Sequence, residues 1–326
     1  MKTIKAAIAG ATGYTGGELI RVLLNHPYVE IGALLTSSRC GQAVSAVHKD
    51  LYGDCDLHFT DAPGEPDVLF LCLAHGASRE FLRTHSLPAH CKIIDLGNDF
   101  RVDNTFGDKT FVYGIPEWFR EDIRHAGHVA NPGCFATAII LALAPLAATR
   151  LLTSDVHIHA VTGATGAGKQ PGETTHFSYR ASNLSIYKPF THQHLAEINH
   201  TLAALAGGVI PPINMIPVRG DFTRGIFASV LTRLPENVAA EQVQEYYRNY
   251  YAPSPFVHLA AGTISLKEVV NTNKALLQLH FHNGYVHITS AIDNLLKGAS
   301  GQAVQNMNLL FGFPEDCGLR LKNIGF

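Results

Sequence analysis

The chain has 326 residues, enough for roughly two domains of ordinary size. Hydrophobic residues make up 46% of it and charged residues 16%, a balance that excludes a disordered tail or a long charged coiled coil. Its 25 Lys and Arg residues stand against 27 Asp and Glu residues, and the formal charge of −2 favours neither a nucleic-acid partner nor an anionic membrane.

Targeting signals and cysteine spacing predict a cytoplasmic protein. The longest apolar run, residues 136–148, falls short of the ~18 residues that span a bilayer and contains Pro145. The apolar run near the N-terminus ends at once in a glycine cluster, unlike a signal peptide. The 6 cysteines include no Cys-x-x-Cys pair, so we expect free thiols in a reducing compartment.

In the first ~130 residues, predicted strands alternate with helices, which is typical of an α/β doubly wound sheet of the Rossmann type. The predicted strands are 3–9, 29–35, 67–73 and 92–96, and the predicted helices are 16–24 and 78–83. We expect residues 1–134 to form this first domain.

The second half of the chain has longer strand-like runs and fewer helices, which predicts an α+β domain with a mixed sheet over residues 135–300. The predicted strands there are 155–162, 226–233, 275–281 and 285–292, and the predicted helices are 135–147 and 236–250. A further helix is predicted over 301–311, and we expect the segment 301–326 to complete the first domain.

Three glycines follow the first predicted strand in the pattern Gly-x-x-Gly-x-x-Gly: Gly10, Gly13 and Gly16. Between a strand and a helix, this spacing indicates dinucleotide binding, because glycines let the backbone approach a pyrophosphate at the helix N-terminus. A glycine-rich turn without a ligand is the alternative. The candidate residues of this loop are Gly10, Thr12, Gly13, Tyr14, Thr15 and Gly16.

The end of the second predicted strand distinguishes the two nicotinamide cofactors. It reads Thr36, Ser37, Ser38 and Arg39, with no carboxylate to hold a ribose 2′-hydroxyl. Hydroxyls and an arginine suit a 2′-phosphate, so the sequence favours NADP over NAD, unless these are ordinary loop residues.

A second glycine-rich segment, residues 163–169, satisfies the pattern Gly-x₄-Gly-Lys after a predicted strand. The next residue is Gln170, where a nucleoside triphosphatase needs Ser or Thr for Mg²⁺, and Pro171 and Gly172 interrupt the helix that should follow. The segment is therefore not predicted to be an ATPase loop, although Lys169 suits an anionic substrate group.

Cys134 follows Asn131-Pro132-Gly133 at the start of an apolar helix, a place where the helix dipole favours a thiolate. A small buried hydrophobic residue is an equally good interpretation of this cysteine. The densest group of possible bases is His192, His194 and Glu197. Their spacing suits either metal ligands or an acid–base group, and we predict no metal.

Several motifs, in this order along nearly the whole chain, resemble the N-acetyl-γ-glutamyl-phosphate reductases of the aspartate-semialdehyde dehydrogenase superfamily. The motifs are GATGYTG at 10–16, DLGNDFR at 95–101, NPGCFAT at 131–137, HQHLAE at 192–197 and DNLLKGASGQAVQNMNLLFG at 293–312. The resemblance implies an arginine-biosynthesis enzyme that reduces an acyl phosphate with NADP, assembled as a homodimer or homotetramer.

The resemblance also assigns roles to individual residues. Cys134 matches the nucleophile and His192 the general base, and Asn294 falls in the stretch expected near the nicotinamide. The residues implied to bind substrate are Arg101, Lys169, His194 and Glu197. Gln193 stands where the family motif usually has arginine, which leaves the N-acyl group of the substrate open between acetyl and succinyl.

Two further functions remain as alternatives at this point. An aspartate-semialdehyde dehydrogenase would use the same chemistry on a smaller acid. A non-catalytic NADP-binding regulator, a protein of another class, would need neither Cys134 nor the histidine group.

Overall fold

The computed structural model describes residues 3–325, so the predicted domain limits at residues 1 and 326 lie outside the described residues. The described chain divides into two compact units, one of residues 3–133 with 299–320 and the other of residues 134–298 with 321–325.

The strands β1 to β14 are, in chain order, Ile4–Ala9, Val29–Leu35, Val68–Leu71, Lys92–Asp95, Thr105–Phe106, Lys109–Tyr113, His128–Ala130, Val156–Thr162, Ser185–Ile186, Ile213–Arg219, Ile226–Arg233, Val257–Leu259, Ala275–His282 and Tyr285–Ile292. The helices α1 to α8 are Tyr14–Leu24, Ala77–Thr84, Pro116–His125, Cys134–Ala148, Phe177–Arg180, His194–Ala206, Ala240–Tyr251 and Gly301–Leu310. Short 3₁₀ turns lie at Val44–Ala46, Lys49–Leu51, Ala164–Ala167 and Leu266–Glu268, and a π-turn lies at Leu296–Ser300.

The first unit is built on a 7-stranded sheet with the order β2-β1-β3-β4-β7-β6-β5. All neighbours are parallel except β5, which runs antiparallel to β6. Because β2 and β3 flank β1, the strand order reverses at β1, and open α/β sheets bind ligands beyond the carboxyl ends of such strands. The predicted Rossmann-type sheet is confirmed.

Helix α8 belongs to this first unit. Asn308 bonds the ring of His26 at 3.0 Å, and the backbone carbonyl of Leu310 accepts from Lys92 Nζ at 2.9 Å. Asn306 Nδ2 donates to the Gly114 carbonyl and to Asn131 Oδ1, both at 3.0 Å. These polar contacts tie α8 to β4 and to loop residues between positions 26 and 131 of the same unit.

The second unit has a mixed 7-stranded sheet with the order β12-β13-β14-β11-β8-β10-β9. Pairs β8/β10 and β12/β13 are parallel and the other four pairs are antiparallel, as expected for an α+β domain. Helices α4, α6 and α7 pack in this unit, and α4 contacts β11 and β14. The predicted mixed sheet is confirmed.

Helix α4 is apolar all round, and every residue from Phe135 to Ala147 is buried, so it is a core helix. Pro145 lies inside it and cannot donate to the carbonyl of Leu141 one turn earlier. The hydroxyl of Tyr251 in α7 donates to this carbonyl instead. The missing helical bond is therefore replaced by a side chain, and the apolar run stays helical.

Some elements differ from the predicted ones. Helix α1 begins at Tyr14 rather than Gly16, and α7 begins at Ala240 rather than at residue 236. The strands and helix between residues 105 and 130, and α6 with β9 and β10, were not predicted. In the described part of the chain, no helix is long and apolar enough to cross a membrane.

Candidate active site and dinucleotide site

The glycine loop of the first unit fits a close backbone approach. Gly10 has φ +81°, and a Cβ there would lie 2.3 Å from the Cys72 carbonyl oxygen. At Gly16 a Cβ would lie 2.7 Å from the Gly10 carbonyl oxygen. Gly13 is the N-cap of α1, and no side chain caps this helix. The loop therefore leaves its helix N-terminus open to an anionic group such as a pyrophosphate.

The segment after β2 lies beside this loop. The backbone amides of Gly10 and Ala11 both donate to the Leu35 carbonyl at 3.2 Å. Ser37, Ser38 and Arg39 follow and are exposed. Within residues 3–325, the only hydrogen bond of the Arg39 guanidinium goes to the neutral side chain of Gln42, at 3.3 Å, so its charge is available to an anion.

Asp95, at the carboxyl end of β4, is a buried carboxylate that the sequence analysis did not single out. Ser78 Oγ donates to its Oδ1 at 2.6 Å and the Gly97 amide at 3.0 Å, while Oδ2 has no hydrogen-bond partner among the described residues. Burial raises the pKa of Asp95 to about 6. In the sequence, this residue could have been recognised as a carboxylate at the end of the otherwise apolar strand KIID.

Arg101 also lies in the first unit, and it is buried. Its Nε donates to the Asn131 carbonyl and its Nη2 to the Leu96 carbonyl, both at 3.0 Å. Asn131 in turn donates through Nδ2 to the Ala299 carbonyl at 3.2 Å. The guanidinium thus fixes the backbone three residues before Cys134 in the chain.

Cys134 is the first residue of α4 and is half-buried. A Cβ at Gly298, in the π-turn, would lie 2.8 Å from the Cβ of Cys134, so only glycine leaves the cysteine in place. The next residue, Phe135, contacts the rings of His192 and His194 edge-on, with ring centroids 5.2 and 6.1 Å apart. The predicted base group therefore lies against the first turn of α4.

The structure brings His192, His194 and Glu197 together. The two imidazole centroids are 4.7 Å apart, and His194 Nε2 lies 3.9 Å from Glu197 Oε1. All three side chains are buried. Helix α6 begins at His194, so Glu197 stands in its first turn, where the helix dipole stabilises a carboxylate.

Tyr187 and Arg219 join this group and were missed by the sequence analysis. The Tyr187 ring centroid is 5.7 Å from that of His192, and the Arg219 guanidinium stacks 4.5 Å from the Tyr187 ring. Burial, and then the charge of the nearby Cys134, raise the pKa of Tyr187 to about 12. We call Cys134, Tyr187, His192, His194 and Glu197 the Cys134 site.

Asn294 and Lys169, also in the second unit, occupy different surroundings. Asn294 Oδ1 accepts from the Gly225 amide at 2.7 Å, and its Nδ2 donates to Thr165 Oγ1 at 3.1 Å, so it clamps two loops. Lys169 is exposed. The amides of Gly163, Ala164 and Thr165 donate to carbonyls of residues 222–225. They are therefore not arranged to cradle a nucleotide phosphate, which agrees with the rejection of an ATPase loop.

In residues 3–325, no group of at least three His, Cys, Asp or Glu side chains is arranged to hold a metal ion. All 6 cysteines are free thiols. Burial raises the pKa of the Cys72 and Cys91 thiols to about 12. Both are therefore protonated at neutral pH and poor nucleophiles.

Two family models match the chain. Residues 5–126 match the NAD binding domain of semialdehyde dehydrogenases, and residues 134–294 match their dimerisation domain. The glycine loop lies in the first match, and the Cys134 site begins at the first residue of the second. The NAD binding domain supports a nicotinamide cofactor.

Solved structures share the fold at low sequence identity. Aspartate semialdehyde dehydrogenase II from Vibrio cholerae superimposes with a TM-score of 0.72 and 19% identity, over 95% of this chain and 99% of that one. A probable aspartate-semialdehyde dehydrogenase from Pseudomonas aeruginosa gives a TM-score of 0.73 and 18% identity, over 95% of this chain and 99% of that one.

Sequence relatives are much more similar. The N-acetyl-gamma-glutamyl-phosphate reductase of Bacteroides thetaiotaomicron is 52% identical over 325 residues, which are 99% of this chain and 100% of the relative. The protein of the same name from Phocaeicola vulgatus is 51% identical over the same shares of the two chains. With both semialdehyde dehydrogenase domains present in one chain, this protein belongs to the N-acetyl-γ-glutamyl-phosphate reductase family of oxidoreductases.

Proposed function

We propose that this enzyme reduces N-acetyl-γ-glutamyl phosphate to N-acetylglutamate semialdehyde and inorganic phosphate, with NADPH as reductant, in the cytoplasm as part of arginine biosynthesis. The observation that carries the proposal is the contact of Phe135, next to Cys134, with both histidines of the Cys134 site. A thiol at a helix start beside imidazole groups is the arrangement that nucleophilic catalysis needs.

The first half-reaction forms a thioester. The Cys134 thiol gives its proton to His192, and the thiolate attacks the acyl carbon of the mixed anhydride. The carbon–oxygen bond to phosphate breaks, and inorganic phosphate leaves with the electron pair. This step replaces an acyl phosphate by a thioester, which accepts a hydride more readily, so one hard step becomes two easier ones.

The second half-reaction returns the enzyme to its first state. NADPH, when bound, supplies the hydride that the thioester carbon accepts. The Tyr187 hydroxyl, whose pKa is raised to about 12, is protonated at neutral pH and can donate a hydrogen bond to an oxyanion. Collapse of the tetrahedral oxyanion breaks the carbon–sulfur bond and releases the aldehyde, and the Cys134 thiolate takes its proton back from His192.

The substrate contacts are the next part of the proposal. His194, Glu197 and Lys169 line the substrate region of the second unit. Arg101 serves the substrate's anionic end, and its guanidinium also donates to two backbone carbonyls. A buried guanidinium in such a place can act by holding the backbone that leads to Cys134 as well as by charge.

The cofactor contacts come from the glycine loop and the end of β2. The backbone of Gly10, Thr12, Gly13, Tyr14, Thr15 and Gly16 holds the pyrophosphate, while Ser37, Ser38 and Arg39 hold the 2′-phosphate. The family resemblance assigns Asn294 to the nicotinamide region, and its side chain is held by hydrogen bonds to Gly225 and Thr165. The chain assembles as a homodimer or homotetramer through its dimerisation domain.

The test is an NADP⁺-reduction assay in phosphate buffer, run in the oxidative direction with three semialdehydes. N-acetylglutamate semialdehyde should give the highest kcat/KM. A preference for the N-succinyl analogue would move the substrate to the alternative N-acyl group, and a preference for aspartate semialdehyde would move it to the smaller acid. No turnover with any of them would contradict an enzymatic function and favour a non-catalytic NADP-binding regulator.

A further inference from the structure

Two arginines of the second unit, Arg180 and Arg219, have no carboxylate partner. Among the residues that the structure describes, no Asp or Glu oxygen forms an ion pair with either guanidinium. The Nε atoms of both side chains are buried and have no hydrogen-bond partner there. Arginine keeps its positive charge in proteins, and a charge taken out of water without an opposite charge is costly.

Arg180 is the more deeply buried of the two. It is the last residue of α5, and only 5% of its surface is exposed. Its Nη1 and Nη2 each lie 3.2 Å from Ser185 Oγ. A hydroxyl oxygen accepts hydrogen bonds but carries no negative charge, so the desolvation of this guanidinium is only partly compensated within the chain.

Ser185 brings the second arginine to the same place. In the antiparallel pair of β9 and β10, Ser185 stands opposite Arg219. Side chains of directly opposite residues project from the same face of a sheet, with Cβ atoms about 4.5–5.5 Å apart. Arg180 and Arg219 therefore meet around Ser185, one through the hydroxyl and the other across the strand pair.

Arg219 connects this pair of arginines with the Cys134 site. Its guanidinium lies 4.5 Å from the centre of the Tyr187 ring, and that ring contacts His192 with centroids 5.7 Å apart. Two positive charges held around one residue repel each other, and an anion bound between them removes the repulsion. A carboxylate or a phosphate matches the fork of donors that each guanidinium presents.

Acidic side chains of this region make other contacts. Asp221 follows Arg219 by two residues, and its Oδ2 accepts from the Ser182 amide at 2.6 Å. Glu197 Oε1 faces His194 Nε2 at 3.9 Å. The positive charge around Ser185 is therefore not paired with these carboxylates, and the anion that complements it must come from a ligand.

We propose that Arg180 and Arg219 form a subsite for an anionic group of the substrate, either its carboxylate or its phosphate. The identity of this ligand rests on the proposed function, whereas the anion chemistry of the subsite does not. Two guanidinium forks fix the orientation of such a group as well as its position. The substrate is thereby held by charge at Tyr187, next to the histidines of the Cys134 site.

The kinetic test uses the oxidative direction of the proposed reaction. There, N-acetylglutamate semialdehyde carries the carboxylate, and inorganic phosphate is a separate substrate. Arg219→Gln should raise at least one of these two KM values by about 10–100-fold, because charge-assisted hydrogen bonds are lost, and leave the KM for NADP⁺ unchanged. A rise for the semialdehyde assigns the carboxylate to the subsite, and a rise for phosphate assigns the phosphate.

Two further variants separate charge from general damage. Arg219→Lys should give a KM between those of Arg219→Gln and the wild type, because lysine keeps the charge and loses the fork. The control Arg233→Gln removes an exposed arginine that, like Arg219, is the last residue of its strand, and it should leave all three KM values unchanged. Unchanged KM values for both substrates in Arg219→Gln, or an equal rise that includes NADP⁺, overturn the proposal.

A binding measurement tests the subsite without turnover. In the Cys134→Ser background, calorimetric titration with inorganic phosphate and with N-acetylglutamate semialdehyde gives a Kd for each. Arg180→Gln and Arg219→Gln should each raise the Kd of the same probe by about 10–100-fold. If Arg180→Gln fails to fold, the half-buried Arg219 carries the test alone. Unchanged Kd values in a folded Arg219→Gln protein overturn the subsite, whereas arginine-dependent binding by a wild-type protein without reductase activity contradicts only the proposed function.

Discussion

The backbone amide of His194 donates a hydrogen bond to Nδ1 of His192 at 3.3 Å. In the neutral ring of His192 the proton then sits on Nε2, because Nδ1 accepts. His194 has different surroundings, since its Nε2 lies 3.9 Å from Glu197 Oε1. The two neighbouring histidines therefore contact different groups, a backbone amide at His192 and a carboxylate at His194.

The first prediction separates the roles of these histidines. If His192 takes the thiol proton, His192→Ala should lower kcat by about 10²–10⁴-fold. To accept that proton on Nδ1, His192 must first lose its 3.3 Å hydrogen bond from the His194 amide. The His192→Ala variant should also show slower alkylation of Cys134 near neutral pH, with partial rescue toward pH ~8.5 as the thiol ionises unaided. His194→Ala should raise KM more than it lowers kcat. The reverse pattern would assign the base to His194, with Glu197 as the group that orients it.

The second prediction concerns the thiols. Cys134→Ser should abolish turnover and leave NADPH binding nearly unchanged, because the glycine loop lies in the first unit. The control Cys40→Ser removes an exposed thiol outside the proposed site and should keep full activity. Mass spectrometry after brief alkylation should find Cys134 labelled well before Cys72 and Cys91, whose pKa values burial raises to about 12. Reductase activity in Cys134→Ser would return this cysteine to a structural role.

The third prediction is a preference for NADPH over NADH in kcat/KM. The end of β2 offers Ser37, Ser38 and the Arg39 guanidinium to a 2′-phosphate and no carboxylate to a ribose hydroxyl. Arg39→Asp should narrow or reverse the preference, whereas Arg83→Asp, an equal change of charge on α2, should not. Equal use of both cofactors by the wild-type enzyme would contradict this assignment.

The elements that could be predicted from the sequence are those with a clear hydrophobic pattern or a characteristic spacing of glycines. The strand–loop–helix around Gly10 and the apolar helix after Cys134 were predictable because few other structures suit those patterns. Residues 105–130 were not predicted, because β5 and β7 have only 2 and 3 residues, and β7 is fixed by pairing with β4 and β6 rather than by its own pattern. Short strands of this kind leave little periodicity to detect.

The candidate site was only partly predictable, for a similar reason. His192, His194 and Glu197 stand close together in sequence, and helix α6 brings the last two onto one face. Tyr187 follows β9 and Arg219 is the last residue of β10, and these two strands are brought together by their pairing, so spacing alone could not associate the two residues. Asn294 was assigned by resemblance, and the structure adds that it clamps the Thr165 and Gly225 loops.

The fourth prediction is that the enzyme needs no metal ion. Enzyme dialysed against a chelator, then assayed in metal-free buffer, should keep its full kcat, and elemental analysis should find no stoichiometric metal. The imidazoles and the Glu197 carboxylate suit proton transfer and substrate contact instead. Activity that is lost on chelation and restored by zinc would contradict this.

The last prediction concerns the acid stability of the first unit. Burial, and then the charge of Lys109, lower the pKa of His128 from 6.5 to about 4, while its Nδ1 accepts from the Ile93 amide at 3.2 Å. The fold therefore prefers the neutral ring, so its contribution is complete above the unfolded pKa of 6.5 and is lost as the pH falls toward 4. The glutamine in His128→Gln cannot gain a proton, so the Tm of this variant should fall less steeply over this pH window than that of the wild-type protein. The difference in Tm should be roughly 2–4 °C for each kcal/mol of pH-dependent stability that the substitution removes. Fluorescence of the single tryptophan, Trp118 in α3 of the same unit, reports the transition. The exposed His125→Gln variant, also near the end of α3, should keep the wild-type slope, and an equal slope in all three proteins would show that His128 does not govern it.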